Sequence, residues 1–207
     1  MRLYFVRHGE SEANTQRIIS NRALPHHLTA LGRRQAASLA QELRGVAVRA
    51  IYTSPVPRAV ETAGILAEAF GLVSQTYAAL REFDCGEMEG RADGEAWAAH
   101  RRVTEAWVLQ GDLEARIPGG ESFVDLRGRF VPFIKNLVTE SAADAPADDR
   151  VFVGHGGLYG LMLPLVLANI RPDFARAHIL PHSRPVVVEA RPGGLVCVDW
   201  AGLPVTA

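Results

Sequence analysis

Short apolar segments alternate with helix-forming segments along most of the chain, and this order restricts the fold more than any other feature of the sequence. Strands are predicted at residues 2–6, 50–52, 75–80 and 150–153, and a helical segment follows each of them. Strands that are connected through helices pair in parallel, and the helices cover both faces of the sheet. The sequence therefore predicts an α/β protein, a three-layer α/β/α sandwich with a mainly parallel central sheet.

Capping and turn residues give the expected bounds of the first two helices. Thr29 is expected to cap the first helix and Gly45 to end it. Pro55 and Pro57 are assigned to the first turn of the second helix, where proline is tolerated, and Gly71 to its end. The remaining elements are, in chain order, a helix at residues 94–110, a turn at 118–120, a helix at 122–140, a polar connector at 141–149, a helix at 156–167, and a hairpin of strands at 184–190 and 195–200.

Composition and charge limit the class of protein. The chain has 207 residues, of which 48% are hydrophobic, enough for one domain over residues 1–207 with a sizeable core. Its 22 basic and 23 acidic residues nearly balance, which predicts no nucleic-acid partner and no membrane partner. Cys85 and Cys197 form no CxxC pair, and Met1 leads straight into the first strand without a signal peptide, so the cytoplasm is the expected compartment. The oligomeric state stays open, with a dimer among the alternatives.

The ends of the first four predicted strands carry residues that suit anion chemistry. Arg7 and His8 follow the first strand, and Arg58 lies just past the second. Glu82 follows the third strand, and His155 follows the fourth. Ligands of a parallel α/β sheet bind outside the carboxyl ends of its strands. We therefore expect two arginines, two histidines and one carboxylate at the same edge of the sheet.

The motifs around these residues resemble those of the histidine phosphatase superfamily, also called the phosphoglycerate mutase-like family. The stretch R-H-G-E-S-E-A-N at residues 7–14 is similar to the signature of that family. S-P-V-P-R-A-V-E-T-A, L-R-E-x-x-x-G-x-x-E-G and H-G-G follow in family order up to residue 157. The resemblance implies the phosphoglycerate mutase-like fold and a small phosphorylated substrate. It also implies a helical insertion at about residues 92–140 that covers the active site.

The resemblance and the chemistry of a phosphate monoester together give these side chains expected roles. Arg7 and Arg58 can bind the phosphate oxygens through forked donors, and Asn14 and His155 can add further donors. A neutral His8 can attack phosphorus and carry the group as a phosphohistidine. A carboxyl group is then needed to protonate the leaving oxygen and to activate water. No metal or cofactor is expected, and the predicted site residues are Arg7, His8, Asn14, Arg58, Glu82 and His155.

The acid and the reaction both have alternatives at this stage. Asp84, Glu87 and Glu89 lie close to Glu82 and could serve as the acid in its place. The stretch F-D-C-G-E-M-E-G predicts an acidic rim, which would repel a substrate that carries a carboxylate beside its phosphate. A phosphatase acting on a small phosphorylated metabolite is therefore the preferred function. A cofactor-dependent phosphoglycerate mutase is the alternative, and a non-catalytic phosphate-binding module is a third interpretation.

The segment P-H-S-R-P-V-V-V-E leaves further roles open. His182 precedes a predicted strand and could reach the rim of the pocket. Arg184 has a mutase-like spacing and is a candidate for an additional anion contact. No chemistry is assigned to His178.

Overall fold

One mixed sheet forms the centre of the molecule. The computed structural model describes residues 1–22, 24–144 and 149–206, with the backbone alone at 139–144. Seven strands in these ranges pair in the order β3-β2-β4-β1-β5-β6-β7. They are β1 (Arg2–Arg7), β2 (Val48–Thr53), β3 (Ser74–Thr76), β4 (Asp149–Gly154), β5 (Pro185–Arg191), β6 (Gly194–Trp200) and β7 (Leu203–Pro204). The strands from β3 to β1 are parallel, and β5, β6 and β7 continue the sheet in antiparallel pairs.

Helices cover both faces of this sheet, which confirms the predicted fold class. The helices are α1 (Glu12–Gln16), α2 (Ala30–Glu42), α3 (Pro57–Phe70), α4 (Gly94–Glu105), α5 (Phe123–Asp144), α6 (Gly156–Met162) and α7 (Pro172–Ala177). A π-helical segment, Ala106–Gln110, continues α4. No helix in the described part of the chain combines the length and the apolar character that a membrane span requires.

Alternation along β1 divides the core into two layers. Successive side chains of a strand point to opposite faces, so Tyr4 and Val6 face one side of the sheet while Leu3 and Phe5 face the other. Tyr4 and Val6 belong to a buried cluster with apolar residues of α2 and α3. Leu3 and Phe5 belong to a second cluster, with apolar residues of α5 and α6. Both faces of the sheet are therefore covered by helices. The edge at the carboxyl ends of its parallel strands is the part where a site can form.

The two helices predicted first along the chain are α2 and α3, and one end of each differs from the predicted end by a few residues. Thr29 caps α2, because its side chain accepts a hydrogen bond from the backbone N–H of Gly32. The helix ends at Glu42, before Gly45, with Leu43 as its C-cap residue. Pro57 is the first residue of α3, whereas Pro55 precedes the helix. Gly71 ends α3 in the left-handed conformation, as the sequence predicts.

Other boundaries differ because short elements carry little signal. The predicted strand at 75–80 is wrong beyond Thr76, and Ala78–Leu80 form a short 3₁₀ helix instead. The helix predicted to reach residue 167 ends at Met162 and continues as a 3₁₀ turn. Of the predicted connector at 141–149, residues 141–144 extend α5, Asp149 begins β4, and 145–148 lie outside the described residues. The sequence did not predict α1, α7 or β7, which are too short for a periodic pattern.

Two glycines let the turn after β1 pack directly against the first turn of α2. A Cβ atom at Gly9 would lie 2.4 Å from the carbonyl oxygen of Gly32. A Cβ atom at Gly32 would lie 2.0 Å from the carbonyl oxygen of Glu10. Both obstacles are backbone atoms, which cannot rotate away as a flexible side chain could. This contact fixes the turn that presents His8.

We expect Gly32→Ala to destabilise the fold, because the new methyl group must push two backbone segments apart. Overpacking of this kind costs about 1–3 kcal/mol. Gly64→Ala is the matched control, since Gly64 lies on an exposed face of α3 and an added Cβ meets no atom within 4 Å. Replacing this helical glycine should stabilise the protein by about 0.5–1 kcal/mol. Urea unfolding midpoints measure both changes, and equal midpoints for the two variants would contradict the packing argument.

Candidate active site

A cavity of about 860 Å³ opens at the carboxyl edge of the sheet. Five of the six predicted site residues line it, and these are Arg7, His8, Asn14, Arg58 and Glu82. His155 is buried beside the cavity, in contact with Arg58. The structure therefore brings together side chains that lie up to 148 residues apart in sequence, from position 7 to position 155.

His8 presents one nitrogen lone pair to a cation. Its Nδ1 atom lies 2.7 Å from the carbonyl oxygen of Gly9, which can only accept, so Nδ1 carries the proton. The Nε2 atom then holds the lone pair and accepts a hydrogen bond from Nε of Arg58 at 2.9 Å. Burial lowers the pKa of His8 well below its ordinary value, and the charge of Arg58 lowers it further. The imidazole is therefore neutral, with Nε2 available as a nucleophile.

Arg58 connects the two histidines. It lies in the first turn of α3, buried, and its Nη1 donates to the carbonyl oxygen of Ser20 at 2.6 Å. Its Nη2 lies 3.3 Å from Nδ1 of His155. Burial lowers the pKa of Arg58 to about 10, so the guanidinium stays charged at neutral pH. A fixed positive charge therefore lies between two neutral imidazoles.

His155 has the opposite tautomer to His8. A guanidinium can only donate, so Nδ1 of His155 accepts from Arg58 and its Nε2 carries the proton. That Nε2 donates to Oγ of Ser54 at 2.8 Å. Burial lowers the pKa of His155 well below its ordinary value, with the charge of Arg58 adding to the effect. The ring centroids of His8 and His155 are 5.2 Å apart, which is close enough for both rings to contact one phosphoryl group.

Arg7 ends β1 with part of its donor capacity unused. Its Nη1 donates to the carbonyl oxygen of Leu180 at 2.8 Å. Its Nε is buried and makes no hydrogen bond to any described residue. Burial also lowers the pKa of Arg7, although the charge of Glu82 opposes the shift. An anion in the cavity can therefore gain a charged donor that the protein does not satisfy.

Glu82 also lines the cavity, and backbone donors hold its carboxylate. Its Oε1 accepts from the N–H of Phe83 at 3.1 Å, and its Oε2 accepts from the N–H of Gly157 at 2.9 Å. Burial raises the pKa of the carboxyl group above its ordinary value, and these hydrogen bonds only partly oppose the shift. The Arg129 side chain fixes the segment by donating to the backbone carbonyls of Ala79 and Glu82. The arrangement suits a carboxyl that exchanges a proton.

The two glycines of the H-G-G motif make room for Arg7 and Glu82. A Cβ atom at Gly156 would lie 3.2 Å from Cδ of Arg7. A Cβ atom at Gly157 would lie 2.9 Å from both carboxylate oxygens of Glu82. The motif thus leaves space for the side chains of Arg7 and Glu82, and it also positions His155.

Asn14 belongs to the capping box of α1, which sequence reasoning did not predict. Its Oδ1 accepts hydrogen bonds from the backbone N–H of Ser11 at 3.0 Å and from the Ser11 hydroxyl at 2.9 Å. Because Oδ1 is occupied in this way, the NH₂ group is the part of the amide left to bind a ligand in the cavity. The predicted role as an uncharged donor is compatible with this geometry.

The predicted acidic rim is wrong. Asp84 pairs with Arg22 at 2.9 Å and also accepts from the backbone N–H of Gly86. Glu89 accepts hydrogen bonds from the backbone N–H groups of Asn21 and Cys85. Neither of these acids nor Glu87 lines the cavity, whereas Glu82 does. The neighbouring carboxylates stabilise loops, and the geometry favours Glu82 as the acid.

The structure gives His182, Arg184 and His178, whose roles the sequence left open, three different environments. The His182 ring lies 5.7 Å from the His8 ring, and burial lowers its pKa to about 4. Arg184 instead forms an exposed ion pair with Glu42, which contradicts its proposed anion contact in the pocket. His178 stacks on Phe174 with ring centroids 4.3 Å apart, which makes it a packing residue.

Sequence reasoning also missed the groups that hold the site in place. Ser54 orients His155, the Ser20 carbonyl binds Arg58, and the Thr62 hydroxyl accepts from the N–H of Gly9 at 3.1 Å. Ser54 and Thr62 lie within the quoted S-P-V-P-R-A-V-E-T-A motif. The motif therefore contained both residues, but nothing in the local sequence indicated that their hydroxyl groups bind His155 and Gly9. Among the described residues, no group of three or more histidine, cysteine, aspartate or glutamate side chains could hold a metal ion.

Comparisons with known proteins agree with this geometry. A family model described as histidine phosphatase superfamily (branch 1) matches residues 3–202. A probable phosphoglycerate mutase GpmB of Proteus mirabilis is 33% identical over 170 residues, covering 81% of this chain and 75% of the relative. Mycobacterial glucosyl-3-phosphoglycerate phosphatase, in a structure with VO3, superposes with a TM-score of 0.80 at 27% identity over 96% of this chain and 98% of that chain. A structure named mycobacterial hydrolase 1 gives a TM-score of 0.77 at 28% identity over 95% of each chain. The chain belongs to the histidine phosphatase superfamily.

Proposed function

We propose that this protein is a phosphatase that hydrolyses phosphate monoesters through a phosphohistidine at His8. One observation carries the proposal: a neutral histidine, whose Nε2 lone pair accepts a hydrogen bond from Arg58, lines the same cavity as a buried carboxyl group of raised pKa. A nucleophile and a proton donor are the two groups that double displacement at phosphorus requires.

The first step transfers the phosphoryl group to the histidine. Arg7, Arg58 and the amide of Asn14 bind the phosphate oxygens, and the Nε–H of Arg58 moves its hydrogen bond from His8 to one of these oxygens. Nε2 of His8 then attacks phosphorus, the N–P bond forms, and the bond from phosphorus to the ester oxygen breaks. Glu82 gives its proton to the departing alkoxide.

The second step returns the phosphoryl group to water. The ionised Glu82 accepts a proton from water, the water oxygen bonds to phosphorus, and the N–P bond to His8 breaks with its electron pair returning to Nε2. His155 supports both steps after the substrate arrives. The phosphate dianion raises the pKa of the adjacent imidazole, Nη2 of Arg58 turns from Nδ1 to a phosphate oxygen, and the freed Nδ1 takes up a proton from solvent. A protonated Nδ1 donates to the transferring oxygens, where charge develops.

The names of the curated relatives favour a mutase, which is the competing function. A phosphoglycerate mutase must also bind a carboxylate and must keep water from the phosphohistidine. Beyond the phosphate-binding pair and Glu82, the charged lining residues in the described part of the chain are Glu105 and Arg176. Their charges are opposite, so together they add no net positive charge to attract a carboxylate, which supports the phosphatase over the mutase. The raised pKa of Glu82 supports turnover over simple binding. A small phosphorylated compound remains the proposed substrate.

Three broader features also remain proposals. We treat residues 1–207 as a single domain in which residues 92–140 form a helical insertion over the site, since Trp97 and Leu109 line the cavity. The cytoplasm is the proposed compartment, because both cysteines are free and buried, as in proteins of a reducing environment. The proposed chemistry is complete without a metal or cofactor.

His8→Ala should abolish turnover, with a loss of about 10⁴-fold or more, since no other group supplies the nucleophile. Incubation with p-nitrophenyl phosphate and a rapid quench should trap an acid-labile, base-stable phosphoenzyme in the wild type and none in the variant. Circular dichroism confirms that the variant is folded. Near-normal phosphate release by His8→Ala would remove this residue from the nucleophile role.

Glu82→Gln should slow alkyl phosphates far more than p-nitrophenyl phosphate, whose leaving group needs little help from an acid. The pKa of Glu82 is raised in the folded protein, so its protonated form persists to higher pH than an ordinary glutamate. Wild-type kcat/KM on alkyl phosphates should therefore fall as pH rises through that raised pKa, and the variant should lose this limb. Equal losses on both substrates, or an unchanged pH profile, would assign the proton transfer elsewhere.

Arg7→Ala should reduce kcat by about 10²–10³-fold, as loss of one positioned donor to a developing charge does. Arg7→Lys should recover only part of the rate, because an ammonium group lacks the forked geometry. Arg34→Ala is the matched control, since Arg34 is an exposed arginine of α2 that does not line the cavity. Steady-state kinetics on one alkyl phosphate compare the variants, and similar losses for Arg7→Ala and Arg34→Ala would reduce the effect to net charge.

A further inference from the structure

Beyond the phosphate-binding groups, the cavity is lined mainly by apolar side chains. Trp97, Trp107, Leu109, Phe123, Leu165 and Ile179 form much of this part, which we call the apolar chamber. The whole cavity measures about 860 Å³, in the range of pockets that enclose a drug-sized ligand. A phosphate group fills only a small part of that space. The leaving group of the substrate is therefore the natural occupant of the rest.

The two tryptophans offer hydrocarbon surface to the chamber. The indole N–H of Trp97 donates to the carbonyl oxygen of Arg17 at 2.7 Å, and that of Trp107 donates to the carbonyl oxygen of Ala115 at 2.7 Å. Both polar atoms are thus already satisfied by the protein. A ligand in the chamber meets the faces and edges of the rings, which favour apolar contact.

His100 adds an uncharged ring to the same wall. Its imidazole lies 5.0 Å from the ring of Phe83 and 5.2 Å from the ring of Trp97. Burial lowers the pKa of His100 to about 4, so the ring is neutral at physiological pH. The chamber therefore gains another aromatic surface and no positive charge at this position.

The mouth of the chamber exposes large aliphatic side chains. The side chain of Leu109 is 63% exposed and that of Ile179 is 80% exposed, and both line the cavity. They belong to two different parts of the chain, the π-helical segment after α4 and the turn after α7. Apolar surface at the rim of a catalytic pocket marks a ligand-binding surface, because a bound apolar group removes it from water.

We propose that the substrate is the phosphate monoester of a bulky, largely apolar alcohol, whose hydrocarbon part occupies the apolar chamber. This inference rests on the phosphatase function proposed above and names its substrate class. A leaving group that carries a carboxylate would have to lose water against largely apolar walls, whose further charged residues, Glu105 and Arg176, together add no net positive charge, and this is unfavourable. The chamber thus selects against phosphoglycerates and in favour of long-chain or ring-containing alcohols.

Binding of n-alkylphosphonates tests the chamber without turnover, because their C–P bond is not an ester. Calorimetry below the micellar concentration gives Kd for butyl-, hexyl- and octylphosphonate. Full burial of each added methylene should lower Kd by about four-fold, and the heat-capacity change of binding should become more negative with chain length. A fall in Kd of less than two-fold from butyl to octyl would overturn the proposal.

Variants at the mouth locate the binding surface. Ile179→Asn and Leu109→Asn should flatten the dependence of Kd on chain length, since each removes aliphatic surface without adding charge. Both residues are exposed, so these changes leave the core intact. Val73→Asn is the matched control, because Val73 is 85% exposed and does not line the cavity. An unchanged dependence in both mouth variants would overturn the assignment of the hydrocarbon to this chamber.

Phosphate release separates this inference from the proposed function. The n-alkyl phosphates share nearly the same leaving-group acidity, so a rise in kcat/KM from butyl to octyl phosphate reports apolar contact. Faster hydrolysis of 3-phosphoglycerate than of octyl phosphate would overturn the substrate class and keep the phosphatase. Length-dependent phosphonate binding without phosphate release from any monoester would keep the apolar chamber and overturn the phosphatase.

Discussion

The buried guanidinium of Arg58 is the interaction on which the rest of the site depends. It donates to Nε2 of His8, to Nδ1 of His155 and to the carbonyl oxygen of Ser20. Because a guanidinium can only donate, it requires a lone pair on the facing nitrogen of each histidine. Its charge and the surrounding burial keep both imidazoles neutral. One side chain thus sets the tautomer and the protonation state of His8, the proposed nucleophile, and of its neighbour His155.

Strand ends and one helix turn position the Arg58 guanidinium. The carboxyl ends of β1, β2 and β4 meet at one edge, and the first turn of α3 brings Arg58 there with Pro57 as the first helical residue. Glycines at positions 156 and 157 allow Arg7 and Glu82 to approach the turn after β4. In the proposed reaction a phosphate dianion offsets the burial of the two arginines, and burial raises the pKa of Glu82, as suits a proton donor. Anion binding and proton donation therefore follow from the same low-dielectric cavity.

The sequence predicted the fold class from local patterns, and it predicted the residues that meet at the cavity from strand ends together with the resemblance to the family motifs. Strand and helix periodicity predicts the sheet, and the charged residues at strand ends stand out against apolar neighbours. Glu82 shows the limit of this reasoning, since β3 ends at Thr76 and the acid follows a 3₁₀ helix. The acidic rim was wrong because the partners of Asp84 and Glu89 are Arg22 and Asn21, more than 60 residues away. Such long-range hydrogen bonds leave no periodic trace in the sequence.

The role of Arg58 is tested most directly by ¹⁵N NMR of the imidazole nitrogens, which reports the tautomeric state of His8 and His155. We predict that His8 carries its proton on Nδ1 and His155 on Nε2, as their hydrogen bonds require. Both patterns should stay unchanged from pH 8 down to well below the ordinary histidine pKa, because burial and Arg58 lower both pKa values. A His8 ring protonated at Nε2, or one that titrates at the ordinary histidine pKa of about 6.5, would contradict the role of Arg58 and with it the proposed nucleophile.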